Sequence, residues 1–186
     1  MKKFANTNPR TLEQAVSLVQ QANKDGQTAS LAGGGSDLLG LVKDFIIKPD
    51  VIVSLKAIKG LDQVTPARDG MNIGGLITLD SLRSHPVIRS QYTVLAEAAE
   101  VVATPQIRNV GTLAGNICQR PWCWYFRNGF PCLKNGGEMC FSVVGENRFH
   151  AIFGGGPSYI VHPSDTAPAL VALRNDEPLA AAKASF

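Results

Sequence analysis

Every cysteine of this chain falls in one segment. Cys118, Cys123, Cys132 and Cys140 stand in GNICQRPWCWYFRNGFPCLKNGGEMC, and the rest of the 186 residues supply none. Gathering all the thiols into one aromatic-rich, Gly/Pro-rich stretch points to a shared task. Four thiolates are the usual ligand set of an iron–sulfur cluster. The segment has little periodicity and contains Pro121 and Pro131, so it reads as an ordered loop. A loop of that length needs an internal organiser to hold one shape. The spacing, C-x4-C-x8-C-x7-C, has neither the short pairs of zinc ribbons nor the ferredoxin runs. On the thiols alone three readings stay open: a cluster, a structural zinc site, or buried free thiols. Trp122, Trp124, Tyr125, Phe126 and Phe130 lie among the thiols. They would shield a cluster from water or form an ordinary local core.

The remainder of the composition narrows the class. Hydrophobic residues make up 45% and charged residues 18%, as in soluble globular proteins. The net charge of +3 is spread along the chain, so nothing argues for nucleic acid or for a membrane surface. The longest apolar runs are far too short to span a bilayer. The start, MKKFANTNPRTLEQ, has no apolar stretch behind its lysines and no twin-arginine pair. A cytoplasmic location is therefore the default expectation, in which thiols and metal ligation are favoured over disulfides.

Patterning predicts a mixture of short elements. Thr11 and Gln14 form a capping box ahead of Leu12, Ala15, Val16 and Val19 at helical spacing. TASLA reads as a strand ending in Gly33, Gly34 and Gly35, and SDLLGLV as a short helix. Val51–Leu55 and Asn72–Leu79 read as further strands, and Tyr92–Val102 as a helix closed by Pro105. VGTLAGN, residues 110–116, reads as a second small-residue turn. His150–Gly155 is a candidate strand; SYIVHPSDTAPALVAL reads as a strand, a turn at Pro163 and a helix. The class is α+β.

LAGGGSDLL has the form of an anion cradle: a strand, glycines, then a helix start. It is neither a Rossmann nor a Walker motif, and a plain structural turn is the alternative. VGTLAGN, with Thr112 and Asn116, would face it across a crevice. Paired loops of this kind suit an extended ligand with a central diphosphate, such as FAD. In HPSDTAPAL, Asp165 is placed to accept hydrogen bonds from sugar or ribityl hydroxyls, or else Ser164 or Asp165 caps the next helix. His85, His150 and His162 show no ligand spacing. No nucleophile–base pair and no carboxylate pair is evident.

Taken together, LAGGGSDLL, TPQIRNVGTLAGNI and HPSDTAPAL resemble the FAD-binding medium subunit of the molybdenum hydroxylases, the xanthine dehydrogenase and aldehyde oxidoreductase family. CQRPWCWYFRNGFPCLKNGGEMC with GENRFHAIFGGG resembles a subset whose inserted loop holds an extra [4Fe–4S] cluster. The resemblance runs from Phe4 to about Leu173. It implies a PCMH-like α+β fold of two small α/β subdomains straddling FAD. Residues 1–173 would be the FAD-binding domain, with 117–141 as the inserted loop. Residues 174–186 read as a divergent tail, making the domain incomplete relative to the family. Ala32, Gly33, Gly34, Gly35, Ser36, Asp37 and Leu38 would cradle the FAD diphosphate. Thr112, Gly115, Asn116 and Asp165 would contact the same cofactor. Cys123, Cys132, Cys140 and Cys118 would hold the [4Fe–4S] cluster. Gly35 and Ala114 differ from the commonest family forms, but both are small.

The implied function is electron transfer within an oxidoreductase. Partners would be a large molybdenum-cofactor subunit and a small [2Fe–2S] subunit, with electrons passing to FAD and on to an acceptor. Export to the periplasm on a partner's signal is the alternative location. The rival readings are a truncated remnant that binds neither cofactor, and a zinc-stabilised interaction module.

Overall fold

The computed structural model describes residues 2–151, 153 and 156–174. Its first half is a parallel sheet with helical crossovers. The strands are β1 (Ala5–Thr7), β2 (Ala29–Ala32) and β3 (Val51–Ser54). Their order is β1-β3-β2, with Val51 in register with both Ala5 and Ala29. Parallel neighbours need crossovers, here α1 (Leu12–Lys24) and α2 (Ser36–Lys43). The middle strand reads VIVS, and its Ile52 and Val53 are buried. Ala15, Val53 and Ile58 form the core of this half, with Leu18, Val19 and Leu61 against it.

Thr11 caps α1, its hydroxyl accepting the Gln14 N–H at 3.2 Å. The return bond of Gln14 goes to the Arg10 N–H at 2.9 Å, one residue earlier than a capping box places it. Asp50 ties the strand starts together. Its carboxylate accepts from Lys2 Nζ at 2.6 Å, the Thr28 N–H at 3.0 Å and the Thr28 hydroxyl at 2.9 Å. The Lys2 bond, then those from Thr28, lower its pKa to about 2.

The second half opens with an antiparallel hairpin, β4 (Val64–Ala67) and β5 (Gly70–Ile73). Helices follow: α3 (Leu79–Ser84), α4 (Pro86–Gln91), α5 (Thr93–Val101), α6 (Pro105–Arg108) and α7 (Leu113–Ile117). The cysteine segment contributes one turn, α8 (Trp124–Arg127), and α9 (Thr166–Arg174) returns to the core. Leu79, Leu82, Ile88, Leu95, Leu113 and Ala169 are buried together there. The expected α+β class, with two small subdomains, is what the chain forms.

Some expected elements differ. The run 72–79 is not one strand. It leaves the hairpin at Ile73, turns at Gly74 and Gly75, and enters α3 behind Thr78, whose hydroxyl accepts the Ser81 N–H at 3.1 Å. The cap, not the apolar pattern, decides it: Leu79 is buried from a helix. The small-residue stretch at 110–116 is not only a turn, because Thr112 caps α7 within it. The expected strands at 150–155 and 158–161 do not form among the described residues. One bond, Ala151 N–H to the Tyr159 carbonyl at 3.1 Å, joins the two segments. Positions 152, 154, 155 and the tail 175–186 lie outside the described residues.

Candidate functional site

β2 delivers the chain into Gly33–Gly35, and Gly35 caps α2 with φ at 83° and no side-chain cap bond. That left-handed conformation is cheap only for glycine. A helix start leaves N–H groups without intrahelical partners, and its dipole favours an anion. The glycines also permit a close approach. A Cβ on Gly34 would overlap the Val110 carbonyl oxygen, and one on Gly33 would stand 2.8 Å from Thr112 Oγ1. The two small-residue stretches are thus in contact.

Backbone bonds fix the second stretch. The Leu79 N–H meets the Gly111 carbonyl at 2.9 Å, Leu113 N–H meets Ile77 at 3.0 Å and Ala114 N–H meets Gly75 at 2.8 Å. A pocket of about 340 Å³ results. Ala32, Gly33, Gly34, Gly35, Ser36, Asp37 and Leu38 line it, facing Thr112 and Gly115. A second pocket, about 530 Å³, shares Thr112 and is bordered by Lys56, Lys59, Thr78 and Asn109.

Several expected contact residues are committed elsewhere. Thr112 is buried, and its hydroxyl oxygen accepts the Gly115 N–H at 3.1 Å. Asn116, 7% exposed, lines neither pocket. Its Oδ1 accepts the hydroxyls of Ser164 and Thr166, each at 2.7 Å, and the Thr166 N–H at 3.3 Å. It joins α7 to α9. Asp165 is exposed and lines neither pocket. Ser164 provides the cap, accepting the Ala167 N–H at 3.0 Å. Asp37 faces the cysteine segment: it accepts from Arg127 Nη2 at 3.0 Å and from the Arg120 N–H at 3.1 Å.

Sequence reasoning missed Arg120, Arg127 and Gln119. Gln119 donates to the carbonyls of Asn116 at 3.1 Å and Pro163 at 2.9 Å, and accepts from Trp122 Nε1 at 3.1 Å. Arg127 also donates to the Pro121 carbonyl at 2.9 Å and lies 3.9 Å from the Trp122 ring centre. They lie within the cysteine motif, where the thiols drew the attention.

The cysteines are not one group. Cys123, Cys132 and Cys140 line a small pocket walled by Phe126, Tyr125 and Phe141. Cys118 caps the C-terminus of α7, is exposed, and lines the glycine-rich pocket instead. As the thiols stand, no three metal-ligating side chains among the described residues converge to hold a single ion. The surroundings are aromatic. Tyr125, Phe130 and Phe141 pack with ring centres 5.2–5.9 Å apart, and Trp124 packs on Phe149 and His150 at 5.8 and 5.4 Å. Asn135 Nδ2 bridges the Phe126 and Phe130 carbonyls, each at 3.0 Å. Burial raises the Cys140 pKa. Bonds from the Ser142 hydroxyl and the Tyr159 and Ser142 N–H groups outweigh this and hold the thiol below its ordinary range. Three thiols around one pocket are the donors that a thiolate-held metal group would need.

Residues 2–176 match the family described as "FAD binding domain in molybdopterin dehydrogenase". The chain belongs to this family. It is 41% identical over 117 residues to the nicotinate dehydrogenase FAD-subunit of Eubacterium barkeri, covering 63% of this chain and 39% of that protein. It is 38% identical over 147 residues to the aldehyde oxidoreductase FAD-binding subunit PaoB of Escherichia coli (strain K12), covering 76% of this chain and 46% of that one. Among solved structures, a carbon monoxide dehydrogenase from Hydrogenophaga pseudoflava superposes with a TM-score of 0.58 at 31% identity, over 62% of this chain and 39% of that one. The chain thus spans less than half the length of these relatives. FAD is the cofactor of the family's domain. The glycine-rich stretch suits its diphosphate, because the start of α2 behind Gly35 carries N–H groups without intrahelical partners. Among the described residues no helix is long and apolar enough to cross a membrane.

Proposed function

We propose that this chain is the FAD-carrying, electron-transferring medium subunit of a molybdenum-containing dehydrogenase. Its partners would be a large molybdenum-cofactor subunit and a small [2Fe–2S] subunit. Electrons would arrive from iron–sulfur centres and leave through FAD to an acceptor. The glycine-rich pocket carries the reading. Gly34, packed against the Val110 carbonyl, and Gly35, opening α2, both line this pocket. The second pocket across Thr112 gives an extended dinucleotide room on both sides of that threonine. Lys56 and Lys59 there add positive charge.

When bound, FAD supplies one- and two-electron chemistry. The protein's part is to hold it. The start of α2 offsets the diphosphate charge, and Thr112 keeps α7 capped beside it. Asp37 pins the cysteine segment against the same helix. Residues 117–141 would hold an iron–sulfur cluster, with the packed rings of Tyr125, Phe130 and Phe141 beside Cys132, which is the buried one of the four thiols. The substrate would be chosen by the large subunit; an aldehyde or an aromatic compound is the class we propose.

The test is a visible spectrum of anaerobically purified chain, with iron and acid-labile sulfide assayed on the same sample. Flavin bands together with iron and sulfide are expected. A colourless protein that takes up no added FAD would overturn the flavin reading. Zinc in place of iron would overturn the cluster reading alone.

A further inference from the structure

We infer that the metal pocket of the cysteine loop has three thiolate corners, Cys123, Cys132 and Cys140, and a hydroxyl corner, Ser158, with Cys118 outside it. This rests on the cluster reading above. The three thiols and Ser158 line one small pocket, with Phe126 and Ile160 among its walls. Cys118 lines a different one. It is also held there. Its N–H donates to the Ala114 carbonyl at 2.8 Å, and the next residue, Gln119, is bonded to Asn116 and Pro163. Bringing Cys118 to the other thiols would unwind the end of α7 and break the Gln119 bonds.

The remaining soft donor is His150, and it does not fill the corner. Its Nε2 lies 3.2 Å from the Cys123 sulfur, its ring packs on Trp124 and Tyr125, and it does not line the pocket. It is placed to hydrogen-bond one ligand sulfur. Ser158 is positioned by its neighbour. The Tyr159 carbonyl accepts from the Ala151 N–H at 3.1 Å.

A hydroxyl is a harder, weaker ligand for cluster iron than a thiolate. The iron at that corner is therefore the labile one. One-electron oxidation by ferricyanide, which becomes ferrocyanide, would take a cluster held there from [4Fe–4S]2+ to [4Fe–4S]3+. This then releases the labile iron: [4Fe–4S]3+ gives [3Fe–4S]+ and Fe2+. The three thiolates stay bound throughout.

The test uses the full chain purified anaerobically, with C118S, C132S and S158C beside it. Iron and sulfide are assayed, and electron paramagnetic resonance is recorded before and after ferricyanide. Flavin content reports folding. Wild type and C118S should carry equal iron, and C132S at least tenfold less. Oxidation should cost the wild type roughly a quarter of its iron and produce a three-iron signal. S158C should resist that loss. Iron lost in C118S as in C132S, with flavin retained, overturns the inference while the cluster reading stands. Wild-type protein without iron overturns both.

Discussion

Gly34 carries the most demanding geometry in the molecule. Its α-carbon faces the Val110 carbonyl, and neither backbone can retreat without parting β2 from the turn before α7. The Gly34→Ala protein is expected to hold at least tenfold less FAD, read as the ratio of flavin to protein absorbance after desalting. Gly40 is the control: nothing lies within 4 Å of a Cβ there, and it is inside α2. Gly40→Ala should keep its flavin and gain about 1 kcal/mol from helix propensity. Equal flavin in the two variants would mean that the contact at Gly34 does not shape the cofactor site. These glycines could be read from the sequence because the strand–glycine–helix order is local. The commitments of Asp37, Asn116 and Asp165 could not. The first two are decided by partners distant in sequence, Arg127 and the Ser164–Thr166 pair, and Asp165 by its exposure at the start of α9.

Among the elements, α2 does two things at once. Its glycine-capped start faces the cofactor pocket, while Asp37 in its first turn grips the cysteine segment through Arg120 and Arg127. The Asp37–Arg127 pair is largely shielded, with side chains 19% and 13% exposed. A shielded bond to a charged group contributes about 1.5–3 kcal/mol. Asp37→Asn should lower unfolding stability by about that amount in urea titrations. It should also speed protease cleavage within residues 119–131. An unchanged cleavage rate would mean that the aromatic packing holds the loop unaided. The capped helix α1 and the strands β2 and β3 were legible, since they follow their local pattern; β1 and the short capped helices α6 and α7 were not. The run 72–79 was not, because an alternating apolar pattern outweighed the Thr78 cap in the reading. The segments 150–155 and 158–161 have strand-like composition, but strands need partners, and among the described residues the bond between them is that of Ala151 to Tyr159.

At the scale of the whole molecule, two small cores are joined by backbone contacts at the glycine loops. Leu82, 0% exposed in the larger core, has no slack around it. Leu82→Ala should cost about 2–5 kcal/mol by urea denaturation. Val16, 53% exposed on α1, should change stability by no more than about 0.5 kcal/mol when cut to alanine. A small loss at Leu82 would mean that the second half is loosely packed. The sequence disclosed the family because its motifs are short, ordered and tied to glycine geometry. It did not disclose that the four cysteines divide between two pockets, since spacing along a loop does not fix which way each thiol turns.

The loop that divides the cysteines also holds both tryptophans of the chain. Trp122 is 67% exposed beneath the Arg127 guanidinium, and Trp124 lies within the aromatic packing beside His150. Intrinsic fluorescence from this protein is therefore a local signal. Excited where tryptophan alone absorbs, it reports the state of one short segment between the two pockets, because the tyrosines outside that segment, Tyr92 and Tyr159, are then silent. The molecule carries a native probe within its cysteine segment.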